Sequence, residues 1–224
     1  MHRFLVTAAI LLAGVSSAAD AAHSDNQIWT IGAATFKLSP KWRLSQDIWV
    51  RFSDNKNGLY EIETNTLLGY VIAKDVAVWA GYTHDPQYAG GHPTVMEHRA
   101  REQMTFDNLG KIAGGNLSGR MRAEERWRDN ASGTGWRLRP YLKYSVPIGG
   151  KLSLNFSNET FVDLNTTAFQ KKSGIDRMRN LISLSLPISK KLTGEAGYMN
   201  QYIFVRGGSD EIDHIAYFAA SVSL

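Results

Sequence analysis

The sequence predicts an all-β protein, a single antiparallel up-and-down transmembrane β-barrel of about 10–12 strands, with twelve favoured because single-chain bacterial barrels close on even numbers. Three observations predict it. Past Asp25 apolar and polar residues alternate with a period of two rather than 3.6. Turn residues cut the chain into runs of roughly 10 to 14 residues, longer than the ~5 to 6 of soluble sheets and enough for a tilted strand to cross a bilayer. A leader of secretory type precedes the strands, and the 224 residues include no cysteine.

The leader comes first. Met1-His2-Arg3 is basic, Phe4 to Val15 is apolar, and Ser16 to Ala22 is built almost wholly of small residues. Twelve residues at ~1.5 Å each span about 18 Å, short of a ~30 Å hydrocarbon core, which marks a signal peptide rather than a membrane helix. Residues 1–21 are therefore assigned to the signal peptide, with cleavage after Ala19 or Ala21, and residues 22–224 to one barrel domain. Export without cysteine suits the bacterial outer membrane and excludes disulfides, thiolate metal sites and a lipoprotein anchor.

The strands follow in order. Trp42 to Phe52 places apolar side chains mostly at even numbers and polar ones at odd numbers. Tyr60 to Thr64, Trp136 to Arg139, Lys151 to Ser157 and Tyr217 to Leu224 repeat the pattern. Breaks fall at 39–41, 54–57, 73–75, 87–94, 108–116, 129–133, 149–150, 166–173, 189–191 and 207–211. Five of the six prolines sit in or beside them; Pro140 is the exception and marks a bulge or a lost ladder bond. Tight breaks alternate with longer ones, as periplasmic turns alternate with outer loops. The parse yields eleven strands, and the parity rule turns this into ten or twelve, by a hidden, split or fused strand.

The polar face carries the charges. A basic wall consists of Arg99, Arg101, Arg120, Arg122, Arg126, Arg128, Arg137, Arg139 and Lys143, with Glu97 and Glu124 among them. Glu61, Glu63, Glu159, Asp163 and Glu195 lie on flanking strands, so a closed barrel sets a basic wall against an acidic one. The other face is apolar. Tyr60, Tyr82, Trp127, Trp136 and Phe204 lie towards the outer loops, and Trp42, Tyr70 and Tyr144 towards the tight turns, as two interfacial belts would. Gln46, Glu102 and Glu125 break the apolar phase, and Glu102 requires a bulge to excuse it.

Gln27-Ile28-Trp29, Lys41-Trp42, Val50-Arg51-Phe52, Leu68-Gly69-Tyr70, Ala80 to His84, Glu97 to Gln103 and Arg120-Met121-Arg122 occur in an order that resembles a known family. It is the uncharacterised bacterial family labelled domain of unknown function 2490, grouped with outer-membrane β-barrels. The resemblance implies fold and location and no catalytic residues. In size and basic lumen alone, the chain is also similar to small twelve-stranded porins for acidic oligosaccharides.

Chemistry is sparse. A guanidinium-lined passage attracts anions, while the same arginines paired with glutamates plug the lumen. The sequence therefore predicts an outer-membrane barrel serving as a narrow porin-like channel for small anionic solutes. The alternatives are a lipid-modifying enzyme, a non-conducting structural barrel, and a soluble periplasmic ligand-binding barrel, the last requiring Leu152, Leu154 and Phe156 to point inward. No Gly-x-Ser-x-Gly elbow occurs, and no spacing among His84, His92, His98 and His214 selects a catalytic triad. No His-x-His or calcium-loop pattern indicates a metal, and no cofactor is expected. The expected partners are outer-membrane lipid, the barrel-assembly machinery during insertion, and small anionic solutes. A net charge of +4 on an exported chain does not point to nucleic acid.

Overall fold

The computed structural model describes residues 23–224 except Lys171; the expected signal peptide lies outside the described residues. Eleven strands follow one another without a helix: β1 His23–Lys37, β2 Trp42–Ser53, β3 Gly58–Ala73, β4 Val76–Ala89, β5 His92–Ile112 and β6 Gly115–Arg128. Then come β7 Ala131–Gly149, β8 Leu152–Asp163, β9 Gly174–Pro187, β10 Leu192–Ile203 and β11 Glu211–Ser223. Each strand pairs antiparallel with the next, and β1 pairs with β11 to close the barrel. Closure leaves no edge strand, so backbone donors and acceptors in the wall find partners in the neighbouring strands except at bulges and at Pro140.

The strand count corrects the parity argument. With an odd number, the first and last strands run the same way, and the β1–β11 seam is parallel from His23↔Glu211 to Thr35↔Ser223. The eleven strands of the periodicity are real; the twelfth is absent among the described residues. Leu224 seals the lower end of this seam, donating its backbone N–H to Thr35 (2.8 Å) and accepting from Lys37 (2.8 Å).

Two rims differ in their connections. One carries turns of two to four residues, at 38–41, 74–75, 113–114, 150–151 and 188–191. The other carries 54–57, 90–91 and 129–130 together with the two long loops, 164–173 and 204–210. The expected breaks at 87–94 and 108–116 shrink to two residues each, because Gly90 and Gly91 (φ 57° and 81°) and Ala113 and Gly114 (φ 47° and 81°) take the left-handed pair that lets long strands turn without splaying. Pro140 behaves as expected: neither it nor Arg139 has a ladder partner on β8, yet the register on both sides is unchanged.

The barrel is inverted relative to a soluble core. Twenty-four buried residues are polar or charged and seven are hydrophobic, while Ile48, Leu68, Met121, Leu142, Phe156, Ile182 and Phe218 all point outward and are exposed. The inward hydrophobics gather at one place. Trp29, Ile31, Met199, Ile215 and Tyr217 form a cluster against the seam, backed by Trp49 and Leu181. The interior hydrophobics thus lie mostly on β9–β11, β1 and β2, while the densest charge lies on β5–β7. Among the inward glycines, Gly69 gives room to Trp79: a Cβ there would fall 2.4 Å from its ring.

Because the chain has no cysteine, the seam can be tested directly. Thr35→Cys with Ser223→Cys, register partners across β1 and β11, should form an intramolecular disulfide on mild oxidation, since paired strands bring Cα atoms within the ~4.4 to 6.8 Å that disulfides span. Absence of the cross-link in folded protein would refute the parallel closure.

A charged lumen as the candidate functional site

Strand alternation alone decides which charges enter the lumen, and all nine residues of the predicted basic wall do. So do the seven predicted acids. They do not form two opposed walls, however, because the acids interleave with the arginines as hubs. Glu97 accepts from Arg99 (2.6 Å), Arg126 (2.8 Å) and Arg128 (2.6 Å). Glu124 binds Arg137 and Arg139, each at 2.6 Å, with Arg122 at 3.7 Å. Glu159 takes Arg139 (2.9 Å) and Arg120. Glu63 on β3 receives Arg51 (3.0 Å) from the adjacent β2 and Arg99 (3.2 Å) from β5, and Lys143 of β7 stands 3.4 Å from Glu195 of β10. Asp163 sits opposite Arg137 in the ladder, with one carboxylate oxygen lacking a hydrogen bond.

Besides Asp25, Asp47, Glu211 and Asp213, which line the mouth and the chamber, four lumen members escape notice in the sequence. Arg51, Arg177, Arg179 and Asp85 lie outside the dense Arg-x-Arg runs of β5–β7, so period-two counting on those runs does not reach them. Asp85 pairs with Arg99 in full burial. The other three matter through aromatic rings. Phe161 is ringed by the guanidiniums of Arg139 (4.1 Å), Arg179 (4.6 Å), Arg137 (5.1 Å) and Arg177 (5.7 Å). Trp29 carries Arg51 (4.4 Å) and Arg179 (4.6 Å). Cation–π contact is strongest where water is excluded, and it lets a guanidinium be buried without a carboxylate.

The network divides the lumen. A central chamber of about 230 Å³ lies between the charged and apolar walls, and a mouth of about 360 Å³ opens beneath the long loops. A pocket of about 60 Å³ sits beside Phe161. Arg179 lines all three, its Nε donating to Gln201 (2.6 Å), so its guanidinium is the partition between them. The mouth carries Asp25, Glu61, Glu211 and Asp213; the chamber carries six arginines against three acids. Carboxylate oxygens of Glu61, Glu63 and Asp85 approach within 4.8 Å of one another, a spacing that suits a cation, and the cations occupying it are the guanidiniums of Arg51 and Arg99.

The predicted aromatics divide. Trp42 packs edge-on to Tyr70 at 4.9 Å, Tyr144 donates its hydroxyl to the Ile112 carbonyl (2.8 Å), and all three lie on the outer face by the tight turns. Trp127 donates to Thr134 (2.9 Å), Trp136 is 44% exposed, and Phe204 packs on Tyr202 at the loop rim. Two assignments need correction. A bulge opposite Arg51 and Phe52 leaves Tyr60 unpaired and turns it into the mouth, where its hydroxyl donates to Gln27 (2.7 Å). Tyr82 faces outward but midway along β4, where its hydroxyl meets Nδ1 of His98. Glu102 also stays outward, in unbroken register with Ala80 and Ala123; no bulge excuses it. Gln46 finds Thr66 (2.6 Å). The histidines do not form a nucleophile–base pair: His98 meets Tyr82, His214 meets Tyr198 (2.6 Å), and among the described residues no serine hydroxyl bonds a histidine. Outside the strands, the hydroxyl of Tyr202 and the amide of Val205 hold Asp210 below the usual carboxylate range, tying down the β10–β11 loop.

A closed β-barrel with an apolar exterior and a charged, largely ion-paired interior is the class these features define. The chain belongs to the family described as Protein of unknown function (DUF2490), whose model matches residues 26–212. It is 28% identical over 217 residues to an uncharacterized protein of Methylorubrum extorquens, an alignment covering 95% of this chain and 94% of that protein.

Glu97 offers the sharpest test of the network. Glu97→Gln should remove the fully buried charge that Arg99, Arg126 and Arg128 share, and breaking such a buried pair costs about 3–5 kcal/mol. Urea unfolding of the folded barrel, followed by tryptophan fluorescence, should show a midpoint lowered accordingly. An unchanged midpoint would mean that Arg99, Arg126 and Arg128 find compensation elsewhere.

Proposed function

We propose that the protein is a bacterial outer-membrane β-barrel, exported by residues 1–21, that gives small anionic solutes a narrow porin-like route through its lumen. One observation carries the membrane reading. Apolar side chains such as Leu142 (53% exposed), Phe218 (50%) and Phe156 (44%) cover the outside, while the arginines and glutamates are sealed within. In water that arrangement forfeits burial of the outer face at ~25 cal/mol per Å² of apolar surface; in a bilayer it is the low-energy one. The outward direction of Phe156 also disfavours the soluble ligand-binding alternative, which needs it inside.

Anion preference is supported by the excess of guanidiniums in the central chamber. The route is narrow because Arg179, held between Trp29 and Phe161, partitions the lumen. That same partition favours a second reading, a non-conducting structural barrel. Lipid is the expected surrounding, and the barrel-assembly machinery the expected partner during insertion.

Two measurements separate these readings. In cell fractionation the protein should follow the outer membrane and shift mobility when boiled; recovery in the soluble periplasm would overturn the membrane reading. In planar bilayers the folded protein should conduct in small steps with chloride favoured over potassium, and Arg179→Ala should enlarge the step by removing the partition. A folded barrel that conducts in neither form would leave the structural reading standing.

Glu102 gives an independent check on depth. In a bilayer, Glu102→Leu should raise stability by about 1–2 kcal/mol, since an outward acid near mid-strand costs somewhat less than the ~2–4 kcal/mol of a lipid-facing base. If lipid does not surround that face, the substitution should instead promote aggregation without stabilising.

A further inference from the structure

The central chamber has a charge imbalance that its own residues do not correct. Arg51, Arg101, Arg120, Arg122, Arg139 and Arg179 line it, against Asp47, Glu63 and Glu159. Those three acids are already committed. Glu63 is taken by Arg51 and Arg99, and Glu159 by Arg120 and Arg139. Asp47 accepts from the indole of Trp49 (2.7 Å) and the amide of Asn65 (2.5 Å). Three guanidiniums are left over. Arg179 has Gln201 and the rings of Trp29 and Phe161 but no paired carboxylate among the described residues, Arg101 donates to Asn65 and Thr83 and comes no nearer than 4.0 Å to Glu63, and Arg122 donates to Gln103 and stays 3.7 Å from Glu124.

Unused donors point the same way. Among the described residues, five buried side-chain polar atoms lack a hydrogen bond, and three of them are Nε atoms of Arg51, Arg101 and Arg120. Arg101 is 2% exposed and Arg51 3%, so an ordinary water shell does not satisfy them. Guanidiniums without a counter-charge are strongly unfavourable in such a place, and an anion with two or more oxygens per charged group relieves both the charge and the empty donors.

The opposite wall narrows the chemistry further. Leu181, Met199 and Tyr217, from β9, β10 and β11, face the arginines of β5–β7 across the chamber. A bare inorganic ion would leave that apolar surface against water. We propose that the chamber is a binding site for a small organic dianion, a dicarboxylate whose carboxylates engage Arg101, Arg122 and Arg179 and whose carbon body rests on Leu181, Met199 and Tyr217. A volume of about 230 Å³ admits a molecule of that size and excludes oligosaccharides and nucleotides.

The inference deepens the anion reading by naming what the lumen holds, and its test does not depend on conductance or location. The full-length folded barrel, purified from whichever fraction contains it, is titrated calorimetrically with phthalate, inorganic phosphate and the uncharged phthalamide. Phthalate should bind saturably with one site, phosphate at least about tenfold more weakly, and phthalamide not at all. Arg101→Gln with Arg122→Gln should weaken phthalate about tenfold or more. If that pair fails to fold, Leu181→Trp fills the chamber from its uncharged side and should abolish binding with every charge in place. Absence of saturable phthalate binding, equal affinity for phosphate, or an effect reproduced by chloride at matched ionic strength would each overturn the site. Binding without conductance would retain the site and refute the passage; conductance without binding would do the reverse.

Discussion

Everything in this protein follows from one constraint: a closed hydrogen-bonded wall in which successive side chains must point to opposite sides. Once the wall closes, each Arg-x-Arg-x run on β5, β6 and β7 is committed to the interior as a block. No local rearrangement can return a single guanidinium to solvent, because a one-residue slip would carry the whole strand's apolar set inward. The carboxylates are the answer to that commitment. Glu97 and Glu124 sit within the basic strands themselves, and each gathers its arginines from two adjacent strands, so neutralisation is built into neighbouring ladders rather than into long reaches across the lumen.

The aromatic side chains complete what the acids leave undone. Phe161 and Trp29 stand where arginines outnumber carboxylates, and Arg179 rests on both rings with a single amide as its polar partner. This explains how a guanidinium without an acid can be kept at the centre of the barrel. It also fits the unequal interior: the seam strands contribute Ile31, Ile215 and Met199, which need no partners, while the densest charge lies on β5–β7.

Much of this was legible in the sequence, and the parts that were not have identifiable causes. Period-two alternation located all eleven strands, because the rule depends only on side-chain direction. It placed Arg99 through Lys143 in the lumen for the same reason. It failed at Tyr60, where one extra residue opposite Arg51 reverses the phase, and a bulge has no signature in polarity alone. It overlooked Arg51, Arg177 and Arg179, the last two an Arg-x-Arg pair on β9, because they lie apart from the dense basic runs of β5–β7. The expected twelfth strand came from parity, a regularity of other barrels rather than a property of these residues. The opposition of a basic and an acidic wall was inferred from strand order; it ignored that Glu97 and Glu124 can each serve several arginines at once.

The parallel seam has a consequence for how the chain is threaded. His23 donates its amide to Asp210 beside the long loops, whereas Leu224 is bound to Thr35 and Lys37 beside the tight turns. The two ends of the described chain therefore emerge at opposite rims, and the barrel reads as a one-way path rather than a return trip. The contacts that close it join residues nearly the whole length of the chain apart, the most expensive loop to close and so the natural last step of assembly. Until that step β1 and β11 both present open edges. The strand that completes the wall must arrive with its direction already matched to the first, a polarity requirement that a hairpin-closed barrel never faces.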